Sequence, residues 1–279
     1  MLRDMTLGQY YPTKSKVHKT DPRVKLLATL LFVVGLFLVN SFLSYIFSIA
    51  IIGITIGMSK VPFSYMIKGM KFILVLLIIS AVFNIIFTNG EHMYFEYGII
   101  KISAEGLKWA LFIVIRLMLI VLGCSIVTYT TTPNDLTAGL EKGLSWMRKI
   151  KVPVHEIAMM MSIALRFIPI LVEEADKIMK AQSARGADFD SGNIIAKAKN
   201  MIPVIVPLFI SAFRRASELA TAMESRCYRG GEGRTKFKPL VYKLSDKLSY
   251  AFLALYFVII IGLDLMARNI EALNFMMAK

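Results

Sequence analysis

Residues 107–130 read LKWALFIVIRLMLIVLGCSIVTYT, with Lys108 near one end and Arg116 as the one charge deep within. Crossing a bilayer takes about twenty consecutive apolar residues in a helix rising 1.5 Å per residue. This stretch meets that requirement. Working outward, residues 24–40, 42–58, 70–88 and 248–267 meet it as well. The first two are separated only by a short turn at Asn40-Ser41. The expected fold is an all-α integral membrane protein with about five transmembrane helices.

Composition agrees. Hydrophobic residues make up 56% of the 279, and the formal net charge is +14. A basic chain can bind nucleic acid, but nearly continuous apolar runs make a membrane protein with cytoplasmic positive loops the better account. The basic residues are dispersed and balanced by Glu173, Glu174, Asp176, Asp188, Asp190, Glu218 and Glu224, so no nucleic-acid partner is expected. Cys124 and Cys227 offer no disulfide framework and no metal spacing. The polar segment 1–25 is too long for a secretory signal, so the first apolar run is expected to stay in place.

Loop charge sets the orientation. Arg3, Lys14, Lys16, Lys19, Arg23 and Lys25 lie at or before the start of the first span, whereas the 89–106 loop carries Glu91, Glu96 and Glu105 against Lys101. By the positive-inside rule the N-terminus is cytoplasmic and the 89–106 loop is external. Five spans then place residues 131–247 in the cytoplasm and the C-terminus outside. The regions are 1–130 with four spans, 131–247 as an insert of amphipathic helices, and 248–279 with the last span. Within spans, Arg116 and Asp264 could mark a transport pathway. No second buried acid or histidine is evident beside Arg116, so it is expected to face other helices and Asp264 to reach the interface. Gly53 and Gly57 read as close helix packing.

The insert divides into helices near 134–150, 154–185 and 202–226. The first carries Leu136, Leu140, Leu144 and Met147 on one stripe, with lysines and arginines elsewhere, which suits an anionic lipid surface. The second and third carry several charges each. One charge at the bilayer centre costs about 2.5–3.5 kcal/mol, so both are expected outside the hydrocarbon. The second ends in Ala184-Arg185-Gly186, the third in Ser225-Arg226-Cys227. A cation in a last turn complements the helix dipole for about 0.3–1 kcal/mol. Two arginines, each between small residues, also leave a planar fork open for a carboxylate on another protein. Ala212, Ala216 and Ala220 recur every four residues, and a second helix could cross closely on that face.

The strings ALRFIP at 164–169, AQSARG at 181–186 and MESRCYRG at 223–230 resemble the signature of the transmembrane T component of energy-coupling factor (ECF) transporters. Asp21-Pro22-Arg23-Val24-Lys25 and Asp135-Leu136-Thr137 are similar too. The resemblance covers essentially the whole chain and looks most like the shared vitamin-uptake type. Cys227 departs from the glycine that many members carry. As a small residue it is expected to preserve the contact.

The resemblance implies a bacterial or archaeal cell-membrane scaffold without catalysis of its own. It would join two cytoplasmic ABC ATPases to one interchangeable substrate-binding S component. The helices ending at Arg185 and Arg226 match coupling helices whose arginines meet acidic residues in grooves of the ATPases. ATP and Mg would be bound by those partners, and no cofactor or metal by this chain. Its own residues agree: GGEGRTK at 230–236 is not a phosphate-binding G-x-x-x-x-G-K-[ST] loop, and His18, His92 and His155 fall in separate regions. The alternative is a self-contained secondary carrier, which would need broken helices or charged pairs at mid-membrane and usually detectable internal repeats.

Overall fold

A computed structural model describes residues 10–88, 93–97, 100–189, 191, 193–231 and 240–277. Arg3, Glu91, His92, Asp190, Gly192 and residues 232–239 lie outside the described residues. The chain forms two compact units. One comprises Gly8–Gly139 and Leu240–Lys279, the other Leu140–Pro239.

The first unit holds α1 (Lys16–Lys19), α2 (Pro22–Leu38), α3 (Phe42–Ser59), α4 (Phe63–Phe87), α5 (Ala104–Thr130), most of α6 (Pro133–Gly143) and α10 (Leu244–Met277). Local chemistry sets their starts. Asp21 caps α2 by accepting from the Arg23 N–H, with Pro22 in the first turn where its missing N–H costs nothing. Ser41 caps α3 and Ser103 caps α5, accepting from the N–H groups of Ser44 and Gly106. A short antiparallel ribbon, β1 (Met93–Tyr97) and β2 (Ile100–Ser103), precedes α5 in the segment expected as a loop.

Among the described residues, α3, α5, Leu244–Ala267 of α10 and Val154–Ala184 are long and apolar enough to cross a membrane. A fifth is α4 if its two segments, bent by 63°, form one span. Helix α2, which holds the expected first span, is 17 residues long and shorter than these. Phe32, Leu36, Tyr45, Ile52, Met66, Leu119, Leu122, Tyr256 and Ile260 form the buried core. Leu30, Ile54, Leu76 and Val258 are instead 60–69% exposed. Such helices are apolar on all sides, and lipid is the solvent that suits the outer faces.

Two buried carboxylates on α10 fasten it to α2. Asp246 accepts from the Asp21 N–H at 3.0 Å, and Asp264 accepts from the N–H groups of Asn40 and Ser41 at 2.9 and 3.0 Å. The helices therefore run parallel, start beside start, with the end of α2 beside Asp264 in the interior of α10. Arg116 of α5 reaches the same turn, donating to the Val39 carbonyl, the Asn40 side chain and the Tyr45 hydroxyl at 2.8–3.1 Å. Arg116 faces helices, as expected. Asp264 corrects the sequence reading, because it is 5% exposed and caps a turn. An acid does accompany Arg116 across the Val39–Ser41 backbone.

The second unit holds the end of α6, a 3-10 stretch Ser145–Ile150, α7 (Val154–Ala184), α8 (Ile194–Asn200) and α9 (Ile202–Ser225). The helix expected over 134–150 is broken. It stops at Gly143, the second glycine in five residues and a weak helix former, and tightens into the 3-10 stretch. Helix α7 runs through Pro169 unbroken. Its charge is unevenly spread: residues 154–171 contain only Glu156 and Arg166, and Glu173, Glu174, Asp176, Lys177 and Lys180 follow. That is why α7 meets a span's length and composition despite its overall charge.

Candidate functional site

Helices α7 and α9 end in the same backbone device. At α7 the Gly186 N–H donates to the Ser183 carbonyl and the Ala187 N–H to that of Gln182, at 2.9 and 3.0 Å. At α9 the Cys227 N–H donates to Glu224 and the Tyr228 N–H to Met223, at 2.8 and 3.0 Å. Each is a Schellman motif, in which one left-handed residue lets two otherwise orphaned carbonyls find donors. The left-handed residues are Gly186, φ 90°, and Cys227, φ 57°. Arg185 and Arg226 are the capping residues immediately before them.

The geometry explains the sequence pattern at atomic level. A helix that stops on such a turn presents its last side chain clear of the barrel. Ala184, Arg185, Gly186, Ser225, Arg226 and Cys227 are all exposed. Among the described residues neither Arg185 nor Arg226 has an ion-pair partner. Two forked cations are thus held by rigid helix ends and left available. Smallness of position 227 is not what the fold demands there. The backbone requires a positive φ, which glycine adopts freely and cysteine only at a cost.

Val204, Leu208, Ser211, Ala212, Arg215, Leu219 and Met223 are the positions on α9 that are at least partly buried, and the helix packs on α7 in one contact. Its polar centre is Glu174 of α7. Arg215 donates to one carboxylate oxygen at 2.6 and 3.2 Å, and the Ser211 hydroxyl donates to the other at 2.5 Å. The alanine stripe lies beside this contact. Ala212 is half-buried, while Ala216 and Ala220 are exposed.

Sequence reasoning missed Glu174, Ser211 and Arg215 as a set. Arg215 and Ser211 are four apart on α9, a visible signal, but their partner lies on another helix. Nearer the start of α7, His155 pairs with Glu141 at 3.0 Å.

Over residues 13–237 the sequence matches the CbiQ family, described as cobalt transport protein. It belongs to that family. The chain is 55% identical over 248 residues to the energy-coupling factor transporter transmembrane protein EcfT of Clostridium kluyveri, covering 88% of this chain and 91% of that one. The EcfT proteins of Ruminiclostridium cellulolyticum and Bacillus subtilis are 50% and 45% identical, across 89% and 88% of this chain and 92% and 93% of theirs. This CbiQ-family chain is therefore a multi-span membrane component of an ECF transporter, the T component that the arginine motifs resemble.

Proposed function

We propose that this T component is a non-catalytic coupling scaffold. It carries the closing movement of two cytoplasmic ATPases to an interchangeable S component, which takes up vitamins or other micronutrients. The observation that carries this reading is the pair of Schellman-capped helices, each leaving an exposed arginine at a fixed helix end. Guanidinium groups so placed suit acidic grooves on two related partners. ATP and Mg belong to those partners. In this reading the N-terminus and the insert face the cytoplasm, the C-terminus faces outward, and α7 and α9 lie outside the hydrocarbon.

The exposed Ala216 and Ala220 of α9, and the apolar face made by Ile202, Ile205, Val206, Phe209 and Phe213, are the surfaces available to the membrane partner. A self-contained carrier is less well supported. Its two intramembrane charges, Arg116 and Asp264, are spent on holding the Val39–Ser41 turn.

The test is purification from native membranes in mild detergent, comparing wild type with Arg185→Glu/Arg226→Glu. Two ATPases and at least one small membrane protein should accompany wild type, and the double mutant should lose the ATPases while still inserting. A chain that purifies alone and carries out uptake when reconstituted would overturn the reading.

A further inference from the structure

The chain leaves the first unit after Gly139 and returns to it at Leu240. Within that unit, both points are seated on the same three residues. On the outgoing side, Gly139 lies against Pro22 so closely that a Cβ there would stand 2.9 Å from the Pro22 Cβ. Proline is a rigid neighbour and cannot give way, so the contact needs glycine. On the returning side, Arg23 donates to the Leu240 carbonyl at 3.3 Å, and its guanidinium lies 3.7 Å from the centroid of the Tyr242 ring. The Asp21 carboxylate receives Arg23 through both oxygens, at 3.0 and 2.8 Å, which fixes the plane of the stack. Asp246, 1% exposed, completes the arrangement. One oxygen accepts from the Asp21 N–H and the other from the Lys243 N–H at 2.8 Å, so the same side chain also satisfies an N–H at the start of α10.

Resting on the coupling role proposed above, we infer that Asp21-Pro22-Arg23, with Gly139, Tyr242 and Asp246, is a positioning anchor that holds both ends of the insert to the start of α2. A displacement of the 140–239 segment carried along the chain arrives at Gly139 and Leu240. Slack chain at either point would absorb it. A shared rigid seat delivers it to α2 and α10, which Asp246 and Asp264 join at both ends of α2.

The test uses the whole complex, this chain with its ATPases and S component, in proteoliposomes. ATP hydrolysis and ATP-driven uptake are measured together, using whichever of a panel of radiolabelled vitamins the wild-type complex accumulates. Arg23→Lys keeps the charge but loses the planar fork and its stacking. Gly139→Ala drives α6 off Pro22. Tyr242→Leu removes the stacking surface and leaves the Asp21 turn alone. All three should retain the ATPases and near-normal hydrolysis, with uptake per ATP falling several-fold. An unchanged ratio in the variants overturns the inference. So does loss of assembly, or a parallel fall in hydrolysis and uptake, because either marks a merely structural role. Failure of the coupling reading itself looks different: the wild-type complex would show no ATP-driven uptake.

Discussion

Arg215 of α9 reaches Glu174 of α7 through two nitrogens, while Ser211, one turn earlier on α9, holds the other carboxylate oxygen. One side chain on α7 thus sets the crossing of the helices that end in Arg185 and Arg226. Removing one partner of a paired charge leaves the other without compensation, and residues in one network do not contribute independently. Glu174→Ala should lower the thermal midpoint of the purified chain, and Glu174→Gln, which still meets Ser211, should lower it less. Arg215→Ala added to Glu174→Ala should cost little more. Additive losses in that double-mutant cycle would show that the contact does not link the helices.

Ala216 tests which face of α9 does what. Because Ala216 is exposed, Ala216→Leu should leave the stability of the purified chain within about 0.5 kcal/mol of wild type, as for an ordinary surface change. The same substitution adds bulk to a surface offered to a partner. Co-purification of the S component should therefore fall while the ATPases remain. Full retention of both would remove the alanine stripe from the partner surface.

The left-handed positions make opposite predictions for the two arginine motifs. Cys227 sits at φ 57°, where a side chain costs about 1–2 kcal/mol. Part of that is offset by the greater freedom glycine has when unfolded. Cys227→Gly should stabilise the α9 terminus by about 0.5–1 kcal/mol. Gly186→Ala, at φ 90°, should destabilise the α7 terminus by about 1–2 kcal/mol. Hydrogen exchange at the Cys227, Tyr228, Gly186 and Ala187 amides reads both. Slower exchange in Gly186→Ala would contradict the backbone argument.

These cases separate what the sequence displays from what it conceals. Helices follow hydropathy, so residues 42–58 and 107–130 were legible as spans, and α7 and α9 end at Ala184 and Ser225, one residue short of the ends read at 185 and 226. The exposed arginines were legible because both motifs are local. The break of α6 at Gly143 was not, since Leu136, Leu140, Leu144 and Met147 keep helical spacing through a residue that disfavours helix. Partners far apart in the chain were hidden altogether. Asp264 beside the Arg116 turn, Asp246 on Asp21, and Glu174 under Arg215 are carboxylates whose roles depend on which helices are neighbours. Hydropathy does not encode that.

Asp264 carries a direct stability prediction. Its carboxylate meets two backbone N–H groups at the α2–α3 turn, and hydrogen bonds to charged groups contribute about 1.5–3 kcal/mol each. Asp264→Ala should thus cost at least about 2 kcal/mol in the detergent-solubilised chain. Asp264→Asn, which retains an acceptor, should cost less. Arg116→Gln should act on the same turn, and its effect should shrink in an Asp264→Ala background. Independent effects of the two substitutions would separate them.

His18 supplies a pH dependence whose sign follows from its setting. Its Nε2 donates to the Tyr11 carbonyl at 2.9 Å, and Nδ1 lies 2.7 Å from the Ser15 hydroxyl, which can donate to it when the ring is neutral. Burial, aided by the nearby Lys25 charge, lowers its pKa; backbone hydrogen bonds at Tyr11 and Tyr129 oppose the shift without reversing it. The unfolded chain, with an ordinary histidine near pKa 6.5, then binds more protons than the folded one in that range. Stability must accordingly be complete above about pH 6.5 and decline as pH falls through that value toward the lowered one. The segment from Tyr10 to Thr20 should lose hydrogen-exchange protection between about pH 7 and pH 5, ahead of the helical core. His18→Gln keeps a donor and an acceptor but no titration, so it should flatten the decline. An equal decline in that variant would assign the pH sensitivity to another group.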